Sequence, residues 1–271
     1  DKLNLKAKQE LNLNNWNSFL KKFKNPKHNI KIGLVGKYVE LQDSYKSILE
    51  SLIHAGAENE TEIDVISIHS EHLDKSNVEE LLNCLNGLIV APGFGERGIE
   101  GKITAITYAR ENKIPFFGIC LGMQMAVIEY ARNKVGLVEA NSTEMVPNCK
   151  VPVIDLMESQ KKIIKKGGTM RLGSWDCDLN ENTISANAYA VNSISERHRH
   201  RYEFNNGYFE KVFDQDFIVA GTNPETGLVE IIEYKNHPWF VGVQFHPEYK
   251  STVSTPHPLF KAFVKASLAN K

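Results

Sequence analysis

The residues best able to do chemistry in this sequence are Cys120, within Gly118-Ile119-Cys120-Leu121-Gly122-Met123-Gln124, and the pair His246 and Glu248 around Pro247. The cysteine segment runs from an apolar stretch, Phe116–Ile119, straight into a helical pattern, Leu121–Arg132. A sharp strand-to-helix turn of this kind exposes its central side chain, as a nucleophile elbow does. Gly118 and Gly122 flank the cysteine where close backbone packing or an unusual φ would exclude a side chain. The unpaired N–H groups and dipole of a helix N-terminus favour a thiolate. The Leu121 N–H would then face an oxyanion formed on a carbonyl under attack. A small buried cysteine at a tight turn fits the same residues, so this motif alone leaves both readings open.

Trp239–Phe245 alternates as a strand and leads into His246-Pro247-Glu248. In an extended segment residues i and i+2 point the same way, and proline holds the chain extended. The Glu248 carboxylate is therefore expected beside the His246 imidazole, orienting it as a general base toward a thiol. Taken alone, H-P-E also describes a surface histidine beside a solvated glutamate. A third segment, Ala91-Pro92-Gly93-Phe94-Gly95-Glu96-Arg97-Gly98, follows the apolar run Gly87–Val90 and precedes a helical pattern. Such a loop offers backbone N–H groups to an anion. It has neither the Lys-Ser/Thr ending of a P-loop nor G-x-G-x-x-G. An oxyanion role, with Gly93 as donor, is the favoured expectation, and an ordinary tight turn is the alternative.

These motifs need strands that end together. From Ile30 the pattern alternates: strand Ile30–Val35, helix Ser44–Ala55, strand Ile63–His69, helix Asn77–Leu85, strand Gly87–Val90, helix Ile99–Asn112, strand Phe116–Ile119 and helix Leu121–Arg132. This order predicts an α/β fold, a mostly parallel central sheet with helices on both faces. Ligands of such sheets sit at the carboxyl ends of the strands. Further strands at Phe217–Gly221, Leu228–Tyr234 and Trp239–Phe245 add an antiparallel part in the second half. Phe260, Phe263, Val264 and Leu268 mark a closing helix. Residues 1–29 read as an arm or interdomain linker, with Leu11, Trp16, Phe19, Leu20 and Phe23 on one helical face ended by Pro26. Residues 30–271 read as one domain.

A net charge of -1 gives no positive field for nucleic acid or a membrane surface. The apolar runs are too short to span a bilayer, and the polar, lysine-rich start is no signal peptide. The four cysteines, Cys84, Cys120, Cys149 and Cys177, form neither a C-x-x-C pair nor a zinc pattern, which points to a reducing, cytoplasmic setting. Cys84, within a predicted helix, reads as a small buried hydrophobe.

Taken together and in this order, the glycine loop, the cysteine elbow and H-P-E resemble the class I glutamine amidotransferase family over residues 30 to 268. The resemblance implies a triad of Cys120, His246 and Glu248, with Gly93 and Leu121 as the oxyanion amides. Within that family four segments resemble the glutaminase domains of CTP synthases: Val35–Leu41, Asn141-Ser142-Thr143-Glu144, Gly167–Gly173, and Glu196-Arg197-His198-Arg199-His200-Arg201-Tyr202. This finer resemblance implies a glutamine pocket that includes Gly93, Phe94, Leu121, Gln124, Glu144, Arg201 and Tyr202. An α-ammonium suits the Glu144 carboxylate, and an α-carboxylate suits a guanidinium. Arg171 is implied as part of a lid near the site and a GTP effector. The glycine loop here reads A-P-G-F-G where many relatives have P-G-G-F-G, which keeps the oxyanion glycine.

The resemblance further implies a missing N-terminal synthetase domain, with its own ATP and Mg and GTP as activator, in a homo-oligomeric full-length enzyme that aminates UTP. The glutaminase half would need no cofactor or metal. Other readings are an amidotransferase of GMP or anthranilate synthesis, a γ-glutamyl hydrolase, or a regulatory or assembly module with little activity of its own.

Overall fold

A computed structural model of the chain describes residues 12–156 and 170–271. The first half alternates as expected: α1 (Asn14–Lys24), β1 (His28–Gly36), α2 (Lys46–Glu58), β2 (Thr61–His69), α3 (Val78–Leu82), β3 (Gly87–Val90), α4 (Ile99–Glu111), β4 (Phe116–Ile119) and α5 (Leu121–Asn133). The second half supplies β5 (Ala140–Ser142), β6 (Val151–Leu156), β7 (Arg171–Leu179), β8 (Ser193–His200), β9 (Tyr202–Phe204), β10 (Phe217–Thr222), β11 (Val229–Tyr234) and β12 (Phe240–Val243), before a closing helix, Pro258–Ala269.

Nine of these strands form one sheet in the order β2-β1-β3-β4-β12-β11-β10-β7-β8. From β2 to β12 the pairings are parallel, and from β12 to β8 they are antiparallel. A second sheet, β5-β6-β9, stands apart from it. The parallel strands are apolar on both sides because helices cover both faces. On β1, Ile30, Ile32 and Leu34 join one core cluster with α2 and the closing helix, while Val35 joins the other with α4 and α5. Phe117 touches Trp239, Phe260 and Phe263, tying β4 and β12 to the closing helix. Burying each such ring contributes about 1.5–3 kcal/mol.

Three local readings change. Gln42–Tyr45 forms a 3-10 turn, so α2 begins at Lys46. Helix α3 stops at Leu82, which leaves Cys84 exposed in the following turn and not buried. Helix α1 forms, but Trp16 and Phe23 are about half exposed on it at 48% and 50%; Leu11 lies outside the described residues. No helix among the described residues is long and apolar enough to cross a membrane.

Candidate active site

Strands β1, β3, β4 and β12 run parallel as near neighbours, so their carboxyl ends bring Lys37, the glycine loop, Cys120 and His246 to one edge of the sheet. Pairing of β4 with β12 sets Ile119 opposite Val243, and the Cys120 N–H donates to Val243 O at 2.7 Å. The sulfur-bearing turn is thus bonded to the strand that delivers the histidine.

Cys120 caps α5 with φ 52 and ψ -102, a conformation L residues rarely hold. Strain of this kind costs of the order of 1–3 kcal/mol and survives only where its surroundings enforce it. Here they do. A β-carbon on Gly118 would lie 2.8 Å from Gly122 O, and one on Gly122 would lie 2.2 Å from Val90 O. The first turn of α5 is pressed onto the ends of β3 and β4, with no room for side chains.

His246 and Glu248 meet, though not in the expected way. Strand β12 ends at Val243, and Pro247–Tyr249 is a 3-10 turn instead of extended chain. Proline suits the first position of such a turn because it has no N–H to leave unsatisfied. The turn brings Glu248 Oε1 within 2.7 Å of His246 Nδ1, and Tyr249 stacks on the imidazole with centroids 4.9 Å apart and planes 8° apart. The His246 N–H also donates to Arg197 O at 2.8 Å.

Burial acts to lower the His246 pKa. The charge and hydrogen bond of Cys120, followed by those of Glu248, outweigh it and push His246 up to about 11. Nε2 has no other hydrogen-bond partner, so it is the nitrogen left for the sulfur. A raised histidine value stabilises the fold in full below the ordinary histidine range, and the contribution is lost as pH rises toward 11. Cys120→Ala removes the larger of the two attractive partners. An imidazole NMR titration of that variant should show His246 titrating well below the wild-type value; an unchanged value would remove Cys120 as the cause.

A cleft of about 290 Å³ opens over this group, lined by Gly93, Phe94, Cys120, Arg199, His246 and Tyr249 among others. Gly93 neighbours Leu121, whose Cδ2 would lie 3.5 Å from a β-carbon there. Phe94 is exposed at the mouth. Glu144 is bound to the same loop, accepting the Gly95 N–H at 2.8 Å. Burial pushes the Glu144 carboxyl up, while the Gly95 amide, Lys37 and Arg201 pull it back. Burial raises the Tyr202 hydroxyl, with the charge of Glu144 adding to it and that of Arg201 opposing it. Gln124 is buried and faces inward, its Nε2 donating to Tyr202 O at 2.9 Å and Gln244 Oε1 at 3.2 Å. Gln244 in turn donates to Cys120 Sγ at 3.8 Å. Sequence reading did not single out Gln244, Tyr249 or Arg199. Arg199 lies within the R-H-R-H-R-Y segment without a role of its own there, and only nearness to H-P-E could have flagged Gln244 and Tyr249.

Arg171 is placed differently from the lid position expected of it. It opens β7 and is buried, its Nη2 2.6 Å from Glu230 Oε1, its Nη1 3.5 Å from Glu203 Oε1, and its guanidinium over Trp175. Gly167, Gly168 and Thr169 of the same segment lie outside the described residues. Burial raises both glutamates against the pull of Arg171, Glu230 to about 7. His198 and His200 complete this cluster and bond to each other at 2.8 Å. Removing one partner of a buried pair costs about 3–5 kcal/mol. Arg171→Met should therefore lose that much in urea unfolding at pH 8, and less at pH 5, where protonation of Glu230 relieves the stranded charge.

Among the described residues no group of three or more His, Cys, Asp or Glu side chains could hold a metal ion. A buried, strained cysteine beside an imidazole fixed by a carboxylate, with backbone amides close by, can perform acyl transfer through a thioester. The family model for class-I glutamine amidotransferases matches residues 40–266, and the chain belongs to that family. Within it, the relatives are CTP synthases. The enzyme of Flavobacterium johnsoniae is 62% identical over 98% of this chain and 50% of its own length. That of Christiangramia forsetii is 64% identical over 94% and 47%. The chain therefore spans about half the length of the curated relatives it matches. A solved Trypanosoma brucei CTPS glutaminase domain with bound acivicin matches with TM-score 0.82 and 36% identity, covering 88% of this chain and 93% of that one.

Proposed function

We propose that the chain is the glutaminase part of a CTP synthase, hydrolysing L-glutamine to glutamate and ammonia at Cys120. One observation carries the reading: Cys120 is held at φ 52 on the N-terminus of α5, coupled to a histidine that Glu248 holds at 2.7 Å. The Cys120 thiolate attacks the side-chain amide carbon. The oxyanion is received by the N–H groups of Gly93 and Leu121. The His246 imidazolium, oriented by Glu248 and stacked on Tyr249, protonates the leaving ammonia. His246 then takes a proton from water, which hydrolyses the glutamyl thioester and frees Cys120. Glu144 receives the α-ammonium and Arg201 the α-carboxylate, with Phe94 and Tyr202 closing the pocket and Gln124 holding Tyr202 through its carbonyl.

In a protein of the relatives' length, residues 30–271 are the glutamine amidotransferase domain and 1–29 the arm toward a synthetase domain. ATP and Mg act in that other domain, where the ammonia aminates UTP. GTP activation, homo-oligomerisation and a cytoplasmic setting belong to the same reading.

The test is mass spectrometry of the chain after exposure to a thiol-directed glutamine analogue, with glutamate release followed from glutamine and from a γ-glutamyl peptide. An adduct on the Cys120 peptide and turnover of free glutamine are expected. A folded sample that gives neither, or that prefers the γ-glutamyl peptide, would overturn the assignment.

A further inference from the structure

Lys102, on the first turn of α4, is fully buried. Its Nζ donates to Ala91 O at 2.7 Å, at the opening of the glycine loop. Lys37, arriving from the end of β1, donates to Phe94 O in the same loop. A β-carbon on Gly93 would lie 3.6 Å from Lys37 Cε and 3.9 Å from Lys102 Nζ. Two lysines therefore grip the loop on either side of Gly93, and the Lys102 ammonium stands close behind that residue.

A buried ammonium is costly unless negative charge faces it. Among the described residues, a negative charge on Cys120 acts on Lys102. We propose that Lys102 is a positioning residue for the reaction at Cys120: it fixes the glycine loop through Ala91 O and balances the negative charge that forms first on the sulfur and then on the oxyanion. The inference rests on the glutaminase reading and extends it to a residue buried beneath the cleft.

The charge balance runs in both directions. Burial first, and then Lys37, draws the Lys102 pKa down to about 7, while the Cys120 charge draws it back up. The cation is held best while the anion is present. The groups that bear on this exchange are Lys37 after β1, Cys120 at the head of α5, His246 after β12, and Glu144, which reaches Lys37 from the far side of the loop.

Two variants of the chain separate the clamp from the charge. Lys102→Met keeps most of the aliphatic stem without donor or charge, and Lys102→Gln keeps a donor on a stem one atom shorter without charge. Each is measured for kcat and KM in glutamate release, and for the pH profile of Cys120 alkylation by iodoacetamide, mapped by peptide mass. Lys102→Met should lose about 30-fold in kcat with KM within about threefold, a fraction of what losing an oxyanion donor costs. Lys102→Gln should fall between it and wild type, and both alkylation profiles should move to higher pH. If Lys102→Met does not fold, Lys102→Gln and Lys37→Met carry the same comparison. Folded variants with wild-type kcat and an unmoved profile would overturn the proposal while leaving the glutaminase reading intact. A wild type that neither turns over nor alkylates readily at Cys120 would sink both.

Discussion

Cys120→Ala should abolish glutamate release from glutamine, by about four orders of magnitude or more, because the thioester has no other atom on which to form. His246 and Glu248 would remain, but an imidazole cannot replace the missing covalent step. The protein should still fold: the Cys120 side chain is small and 3% exposed, and the bonds that fix the turn use its backbone. Alanine will still sit at a positive φ, so the backbone cost is unchanged, and the stability lost should be the part of the His246 stabilisation that Cys120 supplies. Glutamine binding should persist within a few-fold, measured by calorimetry, since the proposed contacts to Glu144 and Arg201 are untouched. Adding His246→Asn to Cys120→Ala should cost little more, because residues that act as a unit lose their effect together. Turnover of the single variant within tenfold of wild type would remove Cys120 from the mechanism.

The two halves of the chain were not equally legible. Strands β3 and β4 are short apolar runs followed by glycine-marked turns and helices, and the burial of both faces is written in their composition. The elbow was visible for the same reason, since Gly118 and Gly122 announce a close approach that the Val90 and Gly122 backbones impose. Strand β8 reads Ser-Ile-Ser-Glu-Arg-His-Arg-His and carries no apolar alternation. It nevertheless buries Glu196, His198 and His200 while Arg197 and Arg199 face outward. Its inner face is filled by groups whose partners come from elsewhere in the chain, Glu230 on β11 beside His198 and His257 beside Glu196 among them. A polar residue looks exposed in sequence unless its partner is known, which is also why Lys102 passed unnoticed. The H-P-E contact was found through the wrong local geometry. An extended segment and a 3-10 turn can each bring residues i and i+2 together, and only the second also stacks residue i+3, Tyr249, on the ring.

Gly122→Ala should disable the site with a single methyl group. A β-carbon there lies 2.2 Å from Val90 O, 3.0 Å from Val90 C and 3.3 Å from Val90 Cβ. The nearest atom is backbone at the end of β3, so no rotamer change relieves it. Overpacking costs about 3 kcal/mol at the upper end of its usual range. Replacing glycine inside a helix returns about 1 kcal/mol. The clash wins, and a net loss of about 2 kcal/mol or more is expected in urea unfolding. The effect on chemistry should be greater. To make room, α5 must lift from β3, carrying Cys120 and the Leu121 amide away from Gly93 and His246, and a displacement near 1 Å costs about 100-fold in rate. Gly93→Ala is the matched control for stability, since its β-carbon would meet Leu121 Cδ2 and Lys37 Cε at 3.5 and 3.6 Å, ordinary contact distances. A Gly122→Ala protein as stable as the Gly93→Ala one would mean that the first turn of α5 is not pinned by Val90, and the strain at Cys120 would then need another source.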